Sequence, residues 1–381
     1  MTTARRKRGQ NEGSIHKRHD GRWVAVVSLG YRNGNRERKY LYGKTRREVQ
    51  EKLTKTLRDQ QQGLPVVPDR QTVGEFIEQW LENVSRHRVR TTTHETYASI
   101  IRNHIVPGIG GVRLSRLTPQ HISSLYEELL KKGLAPRSVM YVHAVLRSAL
   151  KQAVRWNLLV RNPVEAVDPP RPERFRARAL SPEQVSQFLD AAREDDLYAL
   201  YVLALTTGMR QGELLGLMWC DVELDAAQIR VQRQLTRTAG GLAFAEPKTA
   251  KGRRTVALPH IAVEALRQHR ARQAEARLLA GPEWTDIDLV FANQHGRPME
   301  RQNVVKRSFQ PLLTAAELPR VRFHDLRHSA ATLLLSQNVH PKVVQERLGH
   351  STISVTMDTY SHVMPSMQRE AADKLDAMLG G

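Results

Sequence analysis

TTGMRQGELLGL (residues 206–217) and FHDLRHSAATLLL (residues 323–335) are the two stretches whose reading decides the fold. The first follows Tyr198 to Thr206, an apolar run that reads as a buried helix, and sets Arg210 just beyond its end. The second carries His324 and Arg327 at i and i+3, neighbours on one helical face, so a single small group can touch both. Working outward, EPKTAKGRRTVALP (246–259) reads as a tight turn between strands and holds Lys248. Leu348-Gly349-His350 follows, and Tyr360 lies ten residues further on, in STISVTMDTYSHV (351–363).

The set Arg210, Lys248, His324, Arg327, His350 and Tyr360 suffices for phosphodiester transfer. A tyrosine hydroxyl is a competent nucleophile and yields a covalent intermediate that stores the bond energy. Two planar guanidinium groups can fork onto the nonbridging oxygens, where charge accumulates. Lysine can protonate the leaving oxygen, and histidine can take the tyrosine proton or donate to the phosphate. Neither a metal nor a nucleotide cofactor is expected. Blander readings stand beside this one. Arg210 could be a structural ion-pair partner of Glu213. Lys248 competes with Lys251, Arg253 and Arg254 in an exposed basic hairpin. His324 and His328, at i and i+4, could bind zinc with His350 or His362 as a third ligand, but that leaves the two arginines without work.

The rest of the chain reads as separate modules. In residues 1–63, Arg22 to Leu29 and Arg36 to Tyr42 are strand-like around the Asn33-Gly34 turn signal. A helix from Thr45 to Gln62 follows, with Thr45 as cap and Glu48 three residues later. Residues 64–71 are a proline-containing linker. Residues 72–165 read as all-helical: Val73, Phe76, Ile77, Trp80 and Leu81 recur at helical spacing, and further helices cover Thr96 to Ile105, Thr118 to Gly133 and Pro136 to Trp156. Pro107-Gly108 is expected to end the second of these. Residues 166–176 form a second linker. Residues 177–381 are mixed and mainly helical, opening on the capping signal Ser181-Pro182-Glu183-Gln184, with short strands around Ile229 to Val231 and Thr255 to Leu258. Tyr198, Tyr201, Trp219 and Cys220 read as core. Tyr40 and Tyr42 either cover the small sheet or touch a ligand.

Lys and Arg total 59 against 39 Asp and Glu, a formal charge of +20. Residues 1–63 hold 17 basic and 6 acidic residues, so this sixth of the chain carries more than half the excess. That balance points to a polyanion. Arg5, Arg6, Lys7, Arg8, Lys17, Arg18, Arg22, Arg36, Arg38 and Lys39 are the candidate DNA contacts; for the first four a plain solvated tail is the alternative. One cysteine excludes an intrachain disulfide and suits a reducing cytosol. No apolar run is long enough for a membrane span, and the basic start lacks the apolar segment of a signal peptide. The expected location is cytoplasmic, at the nucleoid.

The order and wording of these motifs resemble the catalytic domain of tyrosine recombinases, over residues from about 177 to 372. The resemblance implies that Arg210 and Arg327 bind the scissile phosphate, Lys248 is the general acid, His324 the acid–base histidine and Tyr360 the nucleophile. His350 stands where the family has His or Trp. Residues 72–162 are similar to the family's helical core-binding domain. Residues 13–62, with GSIHKRHDGRWVAVV, are similar to the three-stranded arm-binding domain of bivalent phage-type integrases. The implied function is site-specific integration or excision of a mobile element such as a prophage. It runs through a 3′-phosphotyrosine link, on double-stranded DNA with core-type and arm-type sites, in a homotetramer that passes through a Holliday junction. A host DNA-bending protein and an excision factor are possible partners. The amphipathic segment Gln368 to Leu379 is expected to pack on a neighbouring protomer, or on its own domain. The rival readings are a type I B topoisomerase or resolvase with the same chemistry, and a DNA-binding regulator without catalysis.

Overall fold

The computed structural model describes residues 13–32, 35–61, 71–173, 178–238, 240–247, 250–354, 357, 373 and 375–379. The chain divides into two compact units between residues 174 and 175. The first unit holds two separate apolar cores. The smaller belongs to an antiparallel sheet of β1 (Ser14–Lys17), β2 (Trp23–Arg32) and β3 (Asn35–Gly43), followed by α1 (Arg46–Gln61). Pairing of Ile15 with Ala25, Ala25 with Leu41 and Val27 with Lys39 sets one face of the sheet. That face packs Ile15, Ala25, Val27 and Leu41 against Val49 and Leu53 of α1. The Thr45 hydroxyl caps α1 by accepting from the Glu48 amide at 3.2 Å. Glu48 answers to the Lys44 amide, at 2.9 Å, rather than to that of Thr45. The Asn33-Gly34 turn lies outside the described residues, between strands paired as far as Arg32 and Asn35.

The larger core of this unit is helical. Thr72 and Glu75 form a reciprocal capping box that starts α2 (Val73–Trp80), which continues through a π turn at Leu81–Ser85 to Arg88. α3 (Thr91–Ile100), α4 (Pro119–Lys131) and α5 (Pro136–Arg155) complete it, burying Phe76, Ile77, Ile105, Ile122, Leu146 and Leu150. The second helix departs from the sequence expectation at both ends. It begins at Thr91 rather than Thr96, and it passes Pro107 to end at Ile109. The cause is a π turn at Ile101–Ile105, in which the Val106 amide bonds the Ile101 carbonyl. In a regular α-helix Pro107 would leave a carbonyl without its donor and its ring would clash with the preceding turn; the wider π turn absorbs both.

The second unit opens on α6 (Pro182–Ala191), capped by Ser181 with Gln184 as the sequence predicts. α7 (Tyr198–Thr207) is buried along most of its length, and the short α8 (Gln211–Leu215) follows. β4 (Val222–Glu223), β5 (Gln228–Val231) and β8 (Arg254–Ala257) make one antiparallel sheet. β6 (Gln234–Thr238) and β7 (Gly241–Ala245) make a separate hairpin. The remaining elements are α9 (His260–Ala280), α10 (Arg301–Val304, with a π turn Val305–Phe309 leading into Gln310–Ala315), α11 (Phe323–Ser336) and α12 (Pro341–Leu348). Tyr201 is fully buried, with ring centroids 5.2 Å from Phe188, 6.0 Å from Phe309 and 6.2 Å from Phe323. Its hydroxyl is satisfied by Ser308. Trp219 packs partly against this core, but Cys220, expected beside it, is exposed. Trp219–Asp221 form one 3₁₀ turn, whose three residues point in three directions, and Asp221 takes the inward one.

Candidate active site

Two loops meet on one arginine. α7 ends at Gly208 in the left-handed conformation (φ 63°), where a Cβ would come within 2.3 Å of Leu348 Cδ2. α12 ends at Gly349 in the same conformation (φ 68°), where a Cβ would come within 2.9 Å of the Lys251 carbonyl oxygen. Arg327, on α11 and 3% exposed, donates from Nη1 to the Gly208 carbonyl at 2.6 Å and from Nη2 to the Leu348 carbonyl at 2.7 Å. The turn that leads to Arg210 and the turn that leads to His350 are thereby held against His324's own helix.

Arg210 sits at the N-terminus of α8 and pairs with Glu213, Nη1 to Oε1, at 2.7 Å. Glu213 also accepts from the Arg210 amide at 3.0 Å and from Arg254 Nη2 at 2.9 Å. Burial raises the Glu213 carboxyl, but Arg254 and Arg210 outweigh it and hold the group below its ordinary value. The bland reading of Arg210 is therefore half right: it has a structural partner. With 39% of its side chain exposed it still presents a guanidinium face to solvent.

His324 and His350 share this cationic field. Desolvation, then His328 and the guanidinium groups of Arg327, Arg322 and Arg210, push His324 down to about 4. Desolvation, then Arg327, Arg210 and His328, push His350 down to about 3. Both rings are neutral at pH 7, so either can accept a proton, and an arriving phosphate anion would raise both values. The His324 and His328 rings stand perpendicular, with centroids 5.2 Å apart. Among the described residues, no group of three His, Cys, Asp or Glu side chains is arranged to hold a metal ion.

Lys248 and Tyr360 lie outside the described residues, as do Arg5, Arg6, Lys7 and Arg8 and the side chain of Arg36. Of the other N-terminal candidates, Arg18 and Arg22 flank Asp20 at 3.7 and 3.3 Å, and Arg18 lies over the Tyr42 ring at 5.9 Å. Arg38 shares with exposed Tyr40 and Tyr42 the sheet face away from α1. Lys39 and Lys17 fall on the opposite register, paired with Val27 and Trp23.

Arg254 is the residue that sequence reasoning passed over, naming it only as a rival to Lys248. Besides Glu213 it bonds the Arg347 carbonyl at 2.7 Å and the Gly252 carbonyl at 3.1 Å. It thus ties β8 to α8 and to the end of α12. The signal was present: two-residue alternation from buried Val256 puts Arg254 on the inward face of β8. Arg347 and Gln345 were likewise missed. Arg347 donates to the Thr206 carbonyl at 2.8 Å, and Gln345 Nε2 to the His350 carbonyl at 3.1 Å. Arg254→Gln is expected to cost about 3–5 kcal/mol, because it removes one partner of a buried charge. Urea denaturation measures it, with Arg230→Gln as control: the Arg230–Glu223 pair is exposed and worth at most about 1 kcal/mol. Equal losses in the two variants would refute the role.

Residues 178–367 match the phage integrase family, and residues 72–130 match the phage integrase N-terminal SAM-like domain. A tyrosine recombinase XerC-like protein of Caldanaerobacter subterraneus subsp. tengcongensis is 32% identical, over 92% of this chain and 95% of its own. An integrase of Streptomyces ambofaciens is 33% identical over 96% of each. The fold is similar to that of the Tn1549 transposon integrase in complex with a circular intermediate DNA (TM-score 0.67, 22% identity, 80% of this chain and 99% of that one). It is also similar to that of lambda integrase in a tetramer bound to a Holliday junction (TM-score 0.55, 19% identity, 93% and 97%). These matches, over a site that gathers two arginines and two neutral histidines, show that the chain belongs to the phage integrase family of tyrosine-type, site-specific recombinases.

Proposed function

We propose that Tyr360 is the nucleophile and that the described site is the cradle for the scissile phosphate. The Tyr360 oxygen attacks phosphorus, the bond to the 5′ oxygen breaks, and a 3′-phosphotyrosine and a free 5′-hydroxyl result. Neutral His324 takes the tyrosine proton, and Lys248 protonates the leaving oxygen. Arg210 and Arg327 stabilise the charge on the nonbridging oxygens, with His350 donating beside them. The observation that carries the reading is the pair of Arg327 bonds to Gly208 and Leu348, which join the Arg210 and His350 loops on the helix of His324. A 5′-hydroxyl of a partner duplex then reverses the step. This needs a homotetramer on two duplexes; lambda integrase forms a tetramer bound to a Holliday junction. Residues 1–63 would grip arm-type sites, residues 72–165 core-type sites, and residues 177–381 carry out the chemistry in the cytoplasm.

Covalent capture tests the proposal. On duplex DNA from the region flanking its gene, nicked so that the 5′-hydroxyl fragment diffuses away, the full chain is expected to form a stable protein–DNA adduct in excess chelator. An adduct that vanishes with chelator and returns with zinc or magnesium would overturn the metal-free mechanism.

A further inference from the structure

α8 is five residues long, too short to hold its own shape, and Arg210 stands at its start. Its link through Glu213 to Arg254 is one restraint. A second comes from Arg301, the first residue of α10. Arg301 donates from Nη2 to the Leu235 carbonyl of β6 at 2.7 Å. The same guanidinium crosses the α8 backbone at Gly212. A Cβ there would come within 2.1 Å of Arg301 Nη2 and 2.8 Å of the Leu235 carbonyl oxygen. Gly216, four residues on, is as tight: a Cβ there would come within 2.8 Å of the Leu235 backbone nitrogen. The two glycines thus give α8 a bare face on which β6 and the Arg301 guanidinium lie. The Arg301 carbonyl also accepts from Gln211 Nε2 at 3.2 Å, one residue from Arg210. Among the described residues Arg301 forms no salt bridge, and its neighbour Glu300 is taken by Arg237. Burial holds the Arg301 guanidinium below its ordinary value. A partly buried cation without a counter-ion costs stability, so its place calls for an explanation.

We propose that Arg301 is a positioning residue for strand cleavage, which locks α8 onto β6 and so fixes the Arg210 guanidinium at the scissile phosphate. The inference rests on the reading of Arg210 as a phosphate-binding arginine. The need for a lock is physical. β6 and β7 form a hairpin apart from the β4–β5–β8 sheet, and a lone hairpin is marginally stable. A one-turn helix resting on such a hairpin can tilt unless something ties the two together. Arg301 reaches both, with its donor on Leu235 and its guanidinium against Gly212. Misplacing a catalytic group by about 1 Å can cost roughly a hundredfold in rate, so a small tilt at Arg210 matters. Arg301 acts through Arg210 and not on the phosphate itself.

The test uses the full chain on the nicked duplex described above, with cleavage rate and duplex affinity measured for each variant. Arg301→Met keeps the length of the side chain and loses its donors. It is expected to bind the duplex as the wild type does and to cleave roughly ten- to a hundredfold more slowly. Arg301→Lys can still donate to the Leu235 carbonyl and is expected to recover most of the rate. In an Arg210→Ala background, Arg301→Met should cost nothing further, because the group it positions is gone. A merely structural role would slow that background by the same factor again, and this result would overturn the proposal. Sulfur in place of the 5′-bridging oxygen should leave the Arg301→Met defect as it was, since Arg210 acts on the nonbridging oxygens. Rescue by sulfur would move Arg301 to the proton donor and overturn the link to Arg210. Should Arg301→Met fail to fold, Gly212→Ala keeps Arg301 whole but pushes it off α8. It is expected to show the same slowing and the same lack of additivity with Arg210→Ala. Arg237→Gln, which breaks the neighbouring exposed pair with Glu300, is expected to cleave at the wild-type rate. An equal loss there would assign the effect to the hairpin at large and overturn the role of Arg301. If Arg210→Ala itself cleaves at the wild-type rate, the phosphate role of Arg210 fails and takes the inference with it. If Arg210→Ala is slow and Arg301→Met is not, the inference alone fails.

Discussion

Tyr360→Phe is expected to bind DNA as tightly as the wild type and to form no covalent adduct. The substitution deletes one hydroxyl and keeps the ring, so packing and DNA grip are retained while the nucleophile is lost. The effect is expected to be all-or-none because phenylalanine has no hydroxyl to form the phosphotyrosine. Tyr201, in the same unit, is a poor alternative: it is fully buried and its hydroxyl is bonded to Ser308. Its acidity is also lowered by burial, which pushes the phenol above its ordinary value. Denaturing gels of wild-type and variant protein on the same nicked substrate decide the matter. An adduct at wild-type level in Tyr360→Phe would send the assignment to another residue.

The second large effect concerns Lys248. Lys248→Ala is expected to lose roughly 10²–10⁴-fold in cleavage rate, the usual worth of a general acid. DNA with sulfur in place of the 5′-bridging oxygen should restore most of it, because a thiolate leaves without needing the proton. Arg210→Ala provides the contrast. Its charge acts on nonbridging oxygens, whatever atom departs, so sulfur should rescue it only slightly. Lys251 is the nearest competitor in the same loop, but its Nζ is engaged with the Ser351 carbonyl at 2.9 Å. That bond gives Lys251 a different task, holding the connection between β7 and β8 to the segment after His350. If sulfur fails to rescue Lys248→Ala, the acid must be sought among Lys251, His324 and His350 with the same substrate.

Much of the architecture was legible in the sequence, because local signals and burial agree there. Ser181 and Thr118 cap the helices that their side chains announce, and the apolar run at 198–205 is the buried helix that its composition requires. The helix through Pro107 and the exposure of Cys220 were not legible, because each depends on how a turn is wound: a π turn in one case, a 3₁₀ turn in the other. The candidate site residues could also be proposed from the sequence, since Arg, His, Lys and Tyr are the groups that phosphoryl chemistry demands.

What the sequence by itself determined is therefore the reaction type and most of the helices and strands, and it named six candidate groups, of which Arg210, His324, Arg327 and His350 lie among the described residues. Only the tertiary structure decided how the described members are held. Residues 208, 327 and 348 are far apart along the chain, and nothing in their spacing says that one guanidinium will bond both carbonyls. The same is true of Arg254, which reaches from β8 to Glu213 and to the Arg347 carbonyl. The depressed histidines follow from this convergence. For His324 the charged neighbours lie chiefly on its own helix, but the desolvation that leads both shifts, and the arginines acting on His350 from other elements, are properties of the packed chain.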